Sequence, residues 1–500
     1  MNPHQTKQGV ARAALVIALL GVLIGLAVNL GDRPLSAHEV FAAQTAREMV
    51  RSGDWVSPTY NGVSRLKKPP LAYWAQGGVS VVLGTEPPVP AWAARLASAL
   101  AGGALAGLTV LLGARVYGRR TGVTAGVVVC GFLGLAEYGS SARPDMLYAS
   151  CCTLAVWGWA SSSLRAPGER GQRRDALIGW LGAGLATLAK GPHVLLILAA
   201  GVVAHFVAAR RARDAIAALR PVLGLGVLGA VTLPWFGAVL ARHPDALALW
   251  RAELFSGRGP AQRTPLLEWL TPFYLYAIPL ITFPWALALP FALFVPFVRG
   301  RADLARGRVV WWMALACALL MSLSNHRRDY YMLPILAPLA VLISAGASDW
   351  LARRLARGGE PDSARAHRVL RVVGVLAAAL WAALAPTPLM HDRYDDHARR
   401  FARLIGETLP PDATLVFFRL SDRTITYAQT VYTLDRTVPA INEPAEVARA
   451  ARELGAVWAV LTMDDLPALE GVVIGEVVAE TPADDPGEPT IALVKFTPAP

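Results

Sequence analysis

Charge is scarce in this chain. Of its 500 residues only 17% are Asp, Glu, Lys or Arg, against 54% hydrophobic, and the mean hydropathy is +0.41. Soluble domains carry about a quarter charged residues, so the balance indicates a multi-span membrane protein. Cysteine is scarce too. Cys130, Cys151, Cys152 and Cys317 all fall in apolar segments, with neither metal-type spacing nor a disulfide framework. There is no solenoid repeat. Acidic residues are thin in the first part of the chain. The net charge is +12, yet His391–Pro500 holds 18 acidic and 10 basic side chains, so the excess of positive charge belongs to the first 390 residues. Those basic residues form short clusters between apolar runs. The positive-inside rule accounts for them, and no nucleic-acid partner is expected.

The apolar runs that remain define the architecture. Lys7 and Arg12 precede an uninterrupted run from Ala13 to Leu30, expected to be a signal anchor with a cytoplasmic N-terminus. Further spans are expected near 89–113, 121–138, 146–164, 175–189, 191–209, 219–240, 271–298, 309–323, 330–348 and 369–387, and 70–84 reads as a re-entrant or interfacial helix. Threaded in order, these spans put Arg115/Arg119/Arg120, Arg165/Arg170/Arg173/Arg174, Arg210/Arg211/Arg213/Arg220, Arg299/Arg301/Arg306/Arg308 and Arg353/Arg354/Arg357 on one side, the cytoplasmic one. The expected fold class is an all-α membrane bundle of about 11–13 transmembrane helices over residues 1–390, including an outer-face loop at 31–88. A soluble α/β domain follows over 391–500. There helix patterns (Asp396–Thr408, Pro444–Leu454) alternate with β-rich runs (Thr414–Arg419, Val457–Thr462, Ile491–Phe496). This tail has no Gly-rich phosphate loop, so a cap or acceptor-docking role is expected of it. Trp235 and Trp285, with neighbouring prolines, read as interfacial belt and helix kinks.

The distinctive polar words all fall on the outer side. Ser36-Ala37-His38-Glu39 spells a capping box for a helix that ends at Gly53-Asp54. A turn at Asn61-Gly62 follows, then Lys67, Lys68 and a Pro69-Pro70 break that opens a second apolar helix. Arg143-Pro144-Asp145 opens another helix, where Asp145 also complements the positive helix end. Lys190-Gly191-Pro192 divides a long apolar stretch, and a snorkelling lysine is the plain alternative. Arg327 and Arg328 stand just before Asp329-Tyr330-Tyr331, on a side where arginine is disfavoured, which points to an anionic ligand. The loop carrying Glu253, Arg258 and Arg263 reads first as a solvated charged loop.

An acidic word heading the first outer helix, then Ser52-Gly53-Asp54-Trp55, Asn61-Gly62 and Lys68-Pro69-Pro70-Leu71-Ala72-Tyr73-Trp74, resembles the first outer loop of lipid-linked-sugar glycosyltransferases. These are the bacterial aminoarabinose transferases and related protein O-mannosyltransferases of GT-C fold. The resemblance runs from about residue 30 to 350. It departs from the family pattern at His38-Glu39, where Asp-Glu is usual, and at Lys67, where Glu is usual. The resemblance implies an inverting transfer of a sugar from a polyprenyl-phosphate donor to a lipid, glycan or protein acceptor at the outer face of a bacterial inner membrane, by a monomer. Proton transfer would fall to Asp145, Glu39 or His38. Donor-phosphate binding would fall to Lys67, Lys68, Arg143, Lys190, Arg327 and Arg328, and acceptor-side contacts to Glu253, Arg258 and Tyr330. No cofactor is assigned with certainty and no metal ligand is named; a divalent metal is possible, with Lys67 weakening any site there. A lipid or sugar transporter should instead show mid-membrane charges and inverted repeats. A non-catalytic binder of lipid-linked glycans remains the other alternative.

Overall fold

The computed structural model of the chain describes residues 3–27, 33–255, 273–322, 327–356, 360–384, 397–421, 424–482 and 490–499. The first helices in chain order are α1 (Pro3–Ala27), α2 (Ala37–Ser52), α3 (Leu71–Leu83), α4 (Ala91–Tyr117), α5 (Arg119–Cys130) and α6 (Leu133–Gly139). Next come α7 (Asp145–Ser163), α8 (Gln172–Lys190), α9 (His193–Ala208), α10 (Ala212–Leu219), α11 (Pro221–Arg242) and α12 (Ala246–Phe255). Among the described residues five helical segments are long and apolar enough to cross a membrane: Gln8–Leu26, Ala91–Tyr117, Ala212–Arg242, Asp329–Leu355 and Ser363–Leu384.

Two further helix pairs reach that length and apolarity only together, and each is bent at a short break. Between α5 and α6 the axis bends by 60°, and between Phe273–Thr282 and Trp285–Phe297 by 112°. The second break falls at Phe283-Pro284, where proline lacks the N–H that would continue the helix. The other expected crossings exist as helices (α7, α8, α9 and Arg308–Ser322) that fall short of that length or apolarity. Small residues let α1 and α4 touch: a Cβ on Gly103 would stand 2.6 Å from the Ala18 carbonyl. Irregular backbone between apolar helices is tolerated where protein covers it. Ser140, Ser141 and Ala142, which follow α6, are buried.

The first outer loop folds as its sequence spells. Ser36 accepts from the Glu39 amide while Glu39 accepts from the Ser36 amide, and Gly53 closes α2 with a φ of 69°. Thr59–Tyr60 (β1) and Val63–Ser64 (β2) form a hairpin whose turn residues Asn61 and Gly62 have φ of 53° and 74°. Three indoles hold the loop from below. Trp74 donates to Trp55 O (2.8 Å), Trp235 to Val56 O (3.0 Å) and Trp250 to Leu66 O (2.8 Å). Trp235 is thus a buried strut, 4% exposed.

Beyond residue 397 a mixed sheet has strand order β4-β3-β5-β7-β6, from β3 (Leu415–Phe418), β4 (Ala440–Ile441), β5 (Val457–Thr462), β6 (Val473–Thr481) and β7 (Ile491–Pro498). Strand β3 pairs in parallel with β4 and β5, and β7 pairs antiparallel with β5 and β6. The boundary expected near 390 lies in 385–396, outside the described residues. The sheet domain shares one apolar core with α2, in which Val40, Ala43 and Met49 meet Phe401, Phe417, Tyr427 and Val431. Asn61 stitches the two together: its Nδ2 donates to Tyr427 Oη (2.6 Å) and Val438 O (2.7 Å), and its Oδ1 accepts from Val438 N (2.8 Å). Arg47 adds an ion pair to Asp435 at 3.0 Å.

Candidate active site

The site is built on the loop that ends in Arg143-Pro144-Asp145, and three helices hold that loop in place. Glu39 of α2 accepts from Ala142 N at 2.9 Å, Gln76 of α3 donates to Ala142 O at 2.8 Å, and Ser98 of α4 donates to Arg143 O at 3.3 Å. Glu39 itself is fully buried. Its Oε1 accepts from Arg95 Nε at 3.0 Å and lies 3.6 Å from Arg33, and its Oε2 accepts from Ser36 N at 2.9 Å. Burial opposes ionisation, but the Arg95 and Arg33 guanidiniums outweigh it and hold the carboxyl at about 2.

The Glu39 group titrates near 4.5 when unperturbed, and its folded-state value is depressed. The stability it confers is therefore complete above pH 4.5 and is lost as pH falls towards 2. Glu39→Gln is expected to lower unfolding stability by about 3 kcal/mol, by leaving Arg95 buried without its carboxylate. A thermal-unfolding midpoint equal to that of the parent protein would show that the Glu39–Arg95 pair does not hold the loop.

Above the loop lies a cavity of about 230 Å³ whose wall carries Arg65, Lys68, Arg143 and Lys190 as cations, with Asp145 as the lining carboxylate and His38 beside them. Asp145 is 2% exposed and clamped: Oδ1 takes the Lys190 ammonium and Oδ2 takes Arg143 Nε at 3.0 Å. The tyrosine word completes the clamp. Tyr330 lies close to both cations, with Arg143 Cζ 4.3 Å and Lys190 Nζ 4.6 Å from its ring centre, and the Tyr331 ring centre is 4.9 Å from Lys190. Tyr138 and Tyr148 back the same cations, at 5.7 Å from Arg143 and 5.4 Å from Lys190. An ammonium has three donors and a guanidinium five. Arg143 and Lys190 therefore keep donors for an anion in the cavity while they hold Asp145.

His38 sits in the same wall. Burial lowers the pKa of its imidazole below 6.5, and the nearby Arg143 lowers it further, so the ring is neutral at pH 7 and able to accept a proton. On the other side, the short 3-10 segment Asp329–Ile335 lines two spaces. Tyr330 and Tyr331 face the cavity, while Ile335 lines an apolar groove of about 200 Å³ between the helices Phe273–Thr282, Leu289–Phe294, Arg308–Ser322 and Leu336–Leu355.

Of the residues singled out in the sequence, the fold brings His38, Lys68, Arg143, Asp145, Lys190 and Tyr330 to one cavity. Glu39 stands behind the wall with both oxygens engaged. Lys67 is exposed and does not line the cavity, nor do Arg327 and the exposed Arg328. Glu253 falls in α12, and Arg258 lies outside the described residues. Among the described residues no three His, Cys, Asp or Glu side chains converge as metal ligands. Sequence reading missed Arg65, which stacks on Phe41 at 4.4 Å. It missed Arg95 as well, although an arginine inside an apolar span is a signal for a buried acidic partner.

A family model described as dolichyl-phosphate-mannose-protein mannosyltransferase matches residues 67–237. Relatives include an undecaprenyl phosphate-alpha-4-amino-4-deoxy-L-arabinose arabinosyl transferase of Pseudomonas fluorescens, 27% identical over 345 residues, covering 65% of this chain and 57% of the relative. A Pseudomonas aeruginosa protein of the same description is 29% identical over 336 residues, covering 62% and 56%. The chain thus spans little more than half of the length of these relatives. Among solved structures, ArnT from Cupriavidus metallidurans bound to undecaprenyl phosphate superposes with a TM-score of 0.73 at 18% identity, over 96% of this chain and 97% of that one. The Archaeoglobus fulgidus oligosaccharyltransferase superposes at 0.57 and 12% identity, over 90% and 68%. The shared architecture shows that this chain has the fold of ArnT from Cupriavidus metallidurans, and over about two thirds of its length its sequence is similar to those of aminoarabinose transferases.

Proposed function

We propose that the protein is a multi-pass membrane glycosyltransferase that moves a sugar from a polyprenyl-phosphate donor to an acceptor hydroxyl at the outer face of a bacterial inner membrane. The observation that carries this reading is the cavity: four cations and one carboxylate, beside an apolar groove that shares the segment Asp329–Ile335 with it. The charged head of a lipid phosphate suits the first space and its isoprenoid chain the second. The relatives' descriptions name undecaprenyl-phosphate-linked aminoarabinose, which supports the same donor class here.

In this reading the bond between the anomeric carbon and the phosphate oxygen breaks as the acceptor oxygen attacks from the opposite side. The polyprenyl phosphate gains negative charge, which Lys68, Arg143 and Lys190 stabilise in a site with little water. The acceptor's proton passes to Asp145 as the new bond forms, with inversion at the anomeric carbon. Glu39 serves the reaction through the loop it holds.

Orientation follows from the hairpin of α7 and α8. Asp145 and Lys190 stand at one end of it, while Arg165, Arg170, Arg173 and Arg174 stand at the other. The positive-inside tendency puts the arginines in the cytoplasm and the cavity, with the C-terminal domain that packs on α2, outside. If the two bent pairs and the four shorter helices are counted as crossings, the described residues would hold eleven, within the 11–13 expected.

The test is a purified preparation given a labelled polyprenyl-phosphate sugar and an extract of bacterial envelope lipids. The reading expects release of polyprenyl phosphate coupled to labelling of an acceptor. Donor that binds but is never consumed, with any acceptor supplied, would make the protein a binder of lipid-linked glycans. The neutral imidazole gives a second expectation. If His38 assists proton transfer, the rate falls only below pH 6.5, as the ring protonates through its lowered pKa. His38→Ala should then remove that acid limb and cost less than about a hundredfold in turnover. An acid limb unchanged in His38→Ala would assign it to another group.

A further inference from the structure

A second basic cleft lies apart from the reactive cavity and shares no lining residue with it. It is about 270 Å³ in volume, and it forms where the helix His397–Thr408 and the helix Ile425–Leu434 meet the chain at Arg33–Leu35 and the start of α4. Arg33, Arg47, Arg399 and Arg403 line it, and among the described residues no carboxylate does. Arg33 and Arg47 are nearly fully buried and form its floor, each oriented by a fixed partner, Glu39 for Arg33 and Asp435 for Arg47. Arg399 and Arg403 stand one turn apart on the same helix, with Arg403 exposed at the rim.

Two further observations say what such a cleft is for. Residues 391–500 are acidic, with 18 acidic against 10 basic side chains, yet the helix His397–Thr408 carries Arg399, Arg400 and Arg403 against Glu407. The domain has gathered positive charge on one of its helices. That helix meets the protein where two candidate spans emerge: Gln8–Leu26 ends shortly before Arg33, and Ala91–Tyr117 begins beside Pro90, which lines the cleft. The cleft therefore lies next to the ends of two candidate spans, a position that suits a lipid headgroup, whose phosphate a guanidinium cluster recognises bidentately.

We propose that this cleft binds the phosphodiester headgroup of an anionic phospholipid in the leaflet on the side of the C-terminal domain, and so ties that domain to the membrane surface. Arg399 and Arg403 supply the direct contacts, and the buried pair beneath supplies a fixed positive field. The binding goes beyond the transfer reaction and does not depend on it, so it stands or falls separately from the proposed activity.

The test uses the full chain in phosphatidylcholine nanodiscs titrated with phosphatidylglycerol, with retained lipid counted by native mass spectrometry. The double variant Arg399→Gln/Arg403→Gln is expected to hold phosphatidylglycerol at least about tenfold more weakly than the parent protein. Arg400→Gln, a charge change on the same helix outside the cleft, should retain it. A thermal-unfolding curve for each variant shows that the domain is folded. Equal retention by the parent and the double variant, or equal loss in Arg400→Gln, would overturn the proposal. Displacement of the lipid by millimolar inorganic phosphate would also overturn it, since the cleft would then be a site for free anions and not for a membrane headgroup.

Discussion

Asp145→Asn is expected to lower sugar transfer by about 10²–10⁴-fold, the usual worth of a positioned proton acceptor, while leaving donor affinity undiminished. The expectation follows from where the carboxylate sits. It is buried in the cavity wall, with one oxygen on Lys190 and the other on Arg143. Two neighbouring cations keep it ionised and fix its direction. A donor phosphate that engages the same cations draws part of their charge away from the carboxylate and leaves it a better base as the acceptor arrives. The amide keeps the shape but cannot take the proton. It also removes a negative charge that competes with the donor for Lys190, so binding should hold or tighten while turnover collapses. Single-turnover kinetics with separate donor binding reads both quantities. Normal turnover would remove Asp145 from the chemistry. A parallel loss of binding and turnover would reduce its part to holding the two cations.

Lys190→Ala and Lys68→Ala are expected to weaken donor binding by about ten- to a hundredfold each, the cost of one charge-assisted contact at roughly 1.5–3 kcal/mol. Lys190 should be the more damaging of the two, because its removal also unseats Asp145 and leaves Tyr330 and Tyr331 facing no ammonium. Lys68 lines the cavity from the first outer loop, half-buried, so Lys68→Arg should keep part of the affinity. Binding of a fluorescent polyprenyl phosphate to the detergent-solubilised protein measures both. Affinity unchanged in both alanine variants would make the lysines interface anchors.

Much of this site was legible in the chain because its local rules agree with its tertiary use. The capping box at Ser36–Glu39, the turn at Asn61-Gly62 and the helix starts after Pro70 and Pro144 all depend on a few adjacent residues, and all fold as spelled. Convergence of Lys68, Asp145, Lys190 and Tyr330 could be inferred because each stands at one end of an apolar run, on the side expected to face outward. What escaped were features set by distant partners. Glu39 satisfies its cap and also reaches Arg95, 56 positions away, so a local reading could not tell a proton acceptor from a buried strut.

The same limit appears in the sheet domain. Ile425–Leu434 is rich in Ile, Val, Thr and Tyr and suits a strand by propensity, yet it is helical. Thr424 caps it, and it packs against the helix His397–Thr408 and α2. Strand β6 escaped for the opposite reason. It is an edge strand, exposed for most of its length and irregular between Val477 and Ala479, so it carries no alternating apolar signal.

The most direct test of the account is the structure of the full chain in a lipid nanodisc with a polyprenyl phosphate bound. The account predicts phosphate density in the cavity, within hydrogen-bonding reach of Lys190 and Arg143 and beside Lys68, with the isoprenoid chain leaving along the groove past Ile335. Phosphate density anywhere else, with this cavity holding no part of the lipid, would contradict it.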